Sequence, residues 1–226
     1  QGFDKKIVDK LGIKKLKKHS KIKSLDKAIQ TYKSPKNKVT IAMCGKYNTL
    51  HDAYKSILEA FIHSGIENDA KVDVKWIDTE KLEKEMDFKI FKNIDGILIP
   101  GGFGYRGIEG KIIATQYARE NNIPFLGICL GMQCAVIEFA RNMCGLKESN
   151  STEFNKRTSS PVIDLMPSQK KVIDKGATMR LGKYSCTLSK SGNAYKAYGK
   201  ININERHRHR YEVNNQYKKQ LIKKGL

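Results

Sequence analysis

Between Val39 and about Gly145 short apolar runs alternate with amphipathic ones, and this rhythm restricts the fold more than any other feature. "VTIAMCG", "KVDVKWID", "DGILIPGG" and "IPFLGI" read as strands. "HDAYKSILEAFIHSG", "KIIATQYARENN" and "LGMQCAVIEFARNM" read as helices, the first with Tyr54, Ile57, Leu58 and Phe61 on one side and Gly65 as its C-cap. Repeated strand–helix units predict an α/β fold, a mostly parallel sheet with helices on both faces. "GKYNTLHD", "PGGFGYRG" and "GICLGMQ" follow three of the strands, so they gather at the carboxyl edge of the sheet, where such folds bind ligands.

Outside this stretch the pattern changes. From about residue 146 onward "ATMRLGKYSCTLS", "INERHRHRYEV" and "YKKQLIKKG" predict a smaller β-rich part, short strands with a final helix, while "PVIDLMPSQKKVIDKGA" reads as a connecting region. Residues 1–38 hold thirteen Lys against three Asp. Within them Ile7, Val8, Leu11, Ile13 and Leu16 have the spacing of a broken helix, and "SLDKAIQTYKS" predicts a second one with Ser24 as N-cap. This segment is too polar for a core of its own. It reads as a basic helical linker that either lies on the domain that follows or belongs to one outside the chain. At 226 residues there is room for one domain, residues 39–226, plus this extension. The chain begins without Met and reads as a piece of something longer.

The net charge of +20 raises the question of nucleic acid or an anionic membrane. Lysine is spread along the whole chain and no nucleic-acid motif accompanies it, so solvated faces are the reading preferred, with no nucleic-acid partner. No run of eighteen apolar residues suggests a membrane span, and the N-terminus lacks the apolar segment of a secretory signal. Five cysteines form no paired framework and no zinc spacing, which fits a reducing, cytoplasmic setting and no metal.

Cys129 stands apart from the others. Gly127-Ile128-Cys129-Leu130-Gly131 is G-x-C-x-G, the thiol counterpart of a nucleophile elbow, in which a strand turns sharply into a helix. Glycines two residues to either side give clearance that a Cβ would obstruct. The helix N-terminus is expected to lower the thiol pKa, and the Leu130 N–H to be available to an oxyanion. A cysteine after an apolar strand can equally be a packing residue. Gly101 and Gly102, after another buried strand, tip the balance: such a pair lets backbone approach a ligand and offer it an N–H. "GGFGYRG" does not fit the dinucleotide fingerprint.

"PGGFGYRGIEG", "NNIPFLGICLGMQ", "NSTEF", "TMRLG" and "ERHRHRYEVN" together resemble the triad-type (class I) glutamine amidotransferases, whose fold is flavodoxin-like, and among them the glutaminase domains of the CTP synthase family. The resemblance runs from about Val39 to the last residue. It implies that Cys129 attacks the side-chain amide of L-glutamine to form a thioester, with the Gly102 and Leu130 N–H groups as oxyanion donors. It implies further that Glu153 holds the substrate α-amino group, that Arg210 pairs with its α-carboxylate beside Tyr211, and that Gln133 makes another contact. Apart from the resemblance, Glu153 could be a capping or solvated acid and Arg210 one member of a basic run.

His207 and His209 alternate with Arg206, Arg208 and Arg210, which places the histidines on one face of a strand. Neither is taken as the base for Cys129. In the resembling family the triad His and Glu come from a Q-[FY]-H-P-E segment, and no H-P-E occurs in this sequence. The expectation is a chain with nucleophile and pocket but little or no turnover, lacking the C-terminal tail of its domain. The family also implies a synthetase domain that uses Mg-ATP to aminate UTP, GTP as activator and a homotetramer. No P-loop occurs here, and no cofactor is expected in this domain. Two other readings compete: a different cysteine-elbow α/β protein, and a non-catalytic basic binding module on the same scaffold.

Overall fold

A computed structural model describes residues 3–13, 20–46, 51–166 and 180–226. The chain divides into two compact units, residues 1–40 with 54–73 and residues 41–53 with 74–226. The first holds α1 (Phe3–Lys10), α2 (Ser20–Lys33), α3 (Lys55–Glu67) and the opening residues of β1 (Asn37–Gly45) and β2 (Ala70–Asp78). Helices α2 and α3 pack together. Asp69 ties the unit: its carboxylate accepts from the Lys36 N–H at 3.1 Å and meets the Lys36 ammonium at 3.3 Å.

Two caps differ from the sequence reading. Ser24 lies inside α2, which begins four residues earlier. Gly65 lies inside α3, and Asn68 caps it. Gly65 is there for clearance rather than termination, because a Cβ would run into the Ala70 carbonyl. Leu16 lies outside the described residues.

The second unit is built on a sheet of order β2-β1-β3-β4, with β3 at Gly96–Ile99 and β4 at Phe125–Gly127. Strands β1 and β3 pair in parallel, with Ala42 opposite Ile97, and β3 and β4 likewise, with Leu98 opposite Leu126. This is the flavodoxin-like order, whose ligand crevice opens where the order reverses, at the carboxyl ends of β1 and β3. All four residues of β3 are buried, as a continuous apolar run in a parallel sheet demands. Helices α4 (Thr79–Glu85), α5 (Ile108–Glu120) and α6 (Leu130–Asn142) flank the sheet. Ala114 and Ala118 of α5 pack with Ile97 and Ile99, while Cys134, Ile137 and Ala140 of α6 pack with Val162, Ile163 and Leu221.

The β-rich part holds β5 (Ser149–Ser151), β6 (Ser160–Leu165), β7 (Arg180–Thr187), α7 (Asn193–Tyr198), β8 (Asn202–His209), β9 (Tyr211–Val213) and α8 (Asn215–Lys223). Strands β5, β6 and β9 form one sheet, and β7 and β8 a separate antiparallel pair. "RHRHRYEV" is therefore two strands in two sheets, parted at Arg210. The segment read as a connection opens with β6, whose Val162 and Ile163 are fully buried. Its later residues lie outside the described ones.

Charges inside this unit are costly unless paired. Glu138 is 1% exposed, and its Oε1 accepts from Arg119 Nε at 2.9 Å, Arg119 Nη2 at 2.8 Å and Asn142 Nδ2 at 2.9 Å. Removing one partner of such a pair strands a buried charge. Arg119→Met, which strands the buried Glu138 carboxylate, is expected to lose about 3–5 kcal/mol in urea unfolding, much more than the paired replacement R119M/E138L. Lys111 is also buried, and burial holds its pKa below the ordinary 10.5. Its protonated form therefore opposes folding at neutral pH, and that cost fades as pH approaches the unfolded value. Lys111→Met should raise the thermal midpoint at pH 7, by an amount that shrinks toward pH 10.5.

Candidate active site

Strand β4 ends at Gly127 and α6 starts at Leu130, so Ile128 and Cys129 make the whole turn. Cys129 sits at φ 54°, ψ −105°, a backbone conformation that costs a side-chain-bearing residue about 1–3 kcal/mol. Three hydrogen bonds hold it there. Ile128 N–H donates to Ile99 O at 2.9 Å, Gly131 N–H to Ile128 O at 2.9 Å, and Gln133 N–H to Cys129 O at 3.1 Å. A Cβ on Gly131 would collide with the Ile99 carbonyl, and one on Gly127 with the Gly131–Met132 backbone. The flanking glycines thus serve close backbone crossing, and Cys129 itself carries the strained dihedral.

The loop after β3 lies against this elbow. A Cβ on Gly101 would stand 3.5 Å from Cys129 Cβ, and one on Gly102 would stand 3.4 Å from Leu130 Cδ2. Together they border a cavity of about 170 Å³ that Gly102, Phe103, Cys129, Gln133 and Glu153 line from one part of the chain and Arg208 to Tyr211 from another. Glu153 stands in the turn after β5, its N–H donating to Ser151 Oγ at 3.1 Å. Arg210 O accepts from Met166 N–H at 3.1 Å, and Tyr211 opens β9, opposite Leu165 of β6. Gln133 Nε2 donates to Tyr211 O at 3.3 Å and so joins the first turn of α6 to the β-rich part. Of the seven residues singled out in the sequence, six, Cys129, Gly102, Gln133, Glu153, Arg210 and Tyr211, line this cavity, and the seventh, Leu130, aims its N–H at the sulfur.

Sequence reasoning missed Lys46, Phe103 and Arg208. Phe103 directly follows the glycine pair, and its carbonyl accepts from Lys46 Nζ at 2.5 Å. His207 and His209 do share a face, their Nδ1 atoms 3.2 Å apart, with Tyr184 edge-on to His207. His209 reaches the cavity. Among the described residues no group of three or more His, Cys, Asp and Glu is placed to hold a metal ion.

The thiol differs from expectation. Burial pushes the Cys129 pKa above its ordinary value, and Glu153 adds to this, while the Leu130 N–H aimed at the sulfur only partly offsets them. Desolvation outweighs the Leu130 N–H because the sulfur is half-buried at the elbow. Burial raises Glu153 as well, opposed by the Gly104 N–H and by Lys46. Burial first and Glu153 second raise Tyr211. Cys44 and Cys134 are fully buried, and burial pushes Cys134 up to about 12, which leaves them as packing residues.

Residues 49–226 match the glutamine amidotransferase class-I family, and the chain belongs to it. The glutaminase domain of Trypanosoma brucei CTPS, solved with bound acivicin, is 43% identical and superimposes with a TM-score of 0.76, over 83% of this chain and 72% of that one. The CTP synthase of Chlorobaculum tepidum is 55% identical over 228 residues, and that of Chlorobium phaeobacteroides 56% over 227, each match covering 99% of this chain. Within the family its likeness is to CTP synthase glutaminase domains, and it spans 40% of the length of those two relatives.

The raised thiol gives a direct test. Alkylation of Cys129 by iodoacetamide should follow an apparent pKa above the ordinary cysteine value of about 8.5. Glu153→Gln should bring it down, since a carboxylate that opposes the thiolate is removed. A midpoint at or below the ordinary value would contradict the electrostatics described.

Proposed function

We propose that this chain binds L-glutamine in the Cys129 cavity and hydrolyses its side-chain amide. Cys129 Sγ attacks the amide carbon, the amide nitrogen leaves as ammonia, and water releases glutamate from the thioester. The observation that carries this reading is that one cavity brings a strained, half-buried thiol together with one carboxylate, Glu153, and the guanidinium groups of Arg208 and Arg210. A zwitterionic amino acid needs one anion and one cation to be held, and the guanidinium fork suits a carboxylate. Glu153 takes the α-ammonium, Arg210 the α-carboxylate with Tyr211 beside it, and Gln133 a further polar contact. Gly102 N–H and Leu130 N–H receive the oxyanion; losing one such donor elsewhere costs about 10²–10³ in rate.

A thiol with a raised pKa needs a base to ionise it. The family's base belongs to a segment this sequence does not contain, so turnover by this chain alone is expected to be absent or residual. In the whole protein the ammonia reaches a synthetase domain that converts UTP to CTP with Mg-ATP, in a cytoplasmic homotetramer stimulated by GTP. His209, which lines the cavity, favours one alternative: a base supplied from β8.

A steady-state glutaminase assay on this chain separates these readings. Trace or no release of ammonia is expected; turnover near that of an intact CTP synthase, abolished by His209→Gln, would favour the alternative. Calorimetric titration with L-glutamine tests the pocket itself. Arg210→Ala should weaken binding by about tenfold or more, the scale of a lost charge-assisted bond. Unchanged affinity in both Arg210→Ala and Glu153→Gln would refute the glutamine site.

A further inference from the structure

We infer that Lys46 is a positioning residue for this site: with Glu153 it clamps the peptide unit joining Phe103 to Gly104 and so fixes the loop that carries Gly102. The inference rests on the reading of the cavity as a glutamine site.

Lys46 follows β1 directly, and the 100–104 loop follows β3, the neighbouring strand. The two segments therefore face each other across the crevice where the strand order reverses. Lys46 Nζ donates to Phe103 O at 2.5 Å. The Gly104 N–H faces Glu153 and favours its ionised carboxylate. That carbonyl and that N–H are the opposite ends of one planar peptide group. An ammonium thus holds the oxygen end and a carboxylate the hydrogen end. Half a turn of the plane would point oxygen at the carboxylate and N–H at the ammonium, and both contacts would become repulsive. Charge-assisted bonds of this type are roughly twice as strong as neutral ones.

Sterics do not supply this restraint. Gly104 has φ +80°, and a Cβ built there would meet nothing within 4 Å. Phe103 is 60% exposed, so its ring does not anchor the loop either. The loop is held at its tip by the two charges, while Gly101 and Gly102 rest on the elbow. The cavity that holds Glu153 is shared by the Cys129 thiol, the Tyr211 hydroxyl, His209, Arg208 and Arg210, and Lys46 and the Gly104 N–H favour the ionised carboxylate. Lys46 accordingly has a second effect: it opposes the burial that raises the Glu153 pKa.

Amide hydrogen exchange at Gly104 and calorimetric glutamine binding, measured on this chain, test the inference together. Gly104 should be protected in the wild type. Lys46→Met should lower that protection about tenfold and weaken glutamine binding by a similar factor. The acid limb of binding should also move to higher pH, because Glu153 then protonates more readily. Lys46→Arg, which keeps charge and donor, should restore most of both. Equal Gly104 exchange in wild type and Lys46→Met would overturn the clamp. Altered exchange with unchanged affinity and pH limb would overturn its role in the site. A wild-type chain that binds no glutamine would overturn the underlying reading of the cavity, whatever the exchange shows.

Discussion

The close passage of Gly131 under the Ile99 carbonyl is the constraint from which the site follows. It lets α6 start two residues after β4 and forces the intervening Cys129 into a positive φ. The Ile128 N–H to Ile99 O bond, from the turn to the neighbouring strand, then fixes the turn to the sheet. A thiol on a wandering loop would have to find the Gly102 amide. Here the strand pairing of β3 with β4 sets both, because one residue set carries the elbow and the other leads into the glycine loop.

The second contribution comes from the β-rich part. Glu153 and Tyr211 are brought to the cavity by β5 and β9, which flank β6 in a small sheet. The buried pair Val162 and Ile163 anchors that sheet on α6, the same helix whose N-terminus faces the sulfur. Hydrophobic packing on one end of α6 and chemistry on the other are thereby linked, and the Gln133 bond to Tyr211 O closes the link at the site.

Much of this was legible in the sequence. Strict apolar runs such as "GILI" and the 3–4 spacing of the flanking helices gave the sheet order its parts, and G-x-C-x-G with the glycine pair gave the nucleophile and its neighbour. What was not legible depended on distance in the chain. Lys46 and Glu153 meet one peptide from positions more than a hundred residues apart, and nothing local to either announces it. β6 was lost because "SPVIDL" lacks alternation, being anchored by two adjacent buried residues. The direction of the Cys129 pKa was missed because a helix terminus is visible in a sequence, whereas the burial that outweighs it is a property of the assembled cavity.

The most direct test of the central claim, that Cys129 is the thiol presented to a glutamine-shaped cavity, is site-resolved mass spectrometry after limited exposure to acivicin. Modification at Cys129 alone, suppressed by L-glutamine, is the expected result. Labelling that favours the exposed Cys186 or the half-buried Cys144, or that L-glutamine does not suppress, would contradict it.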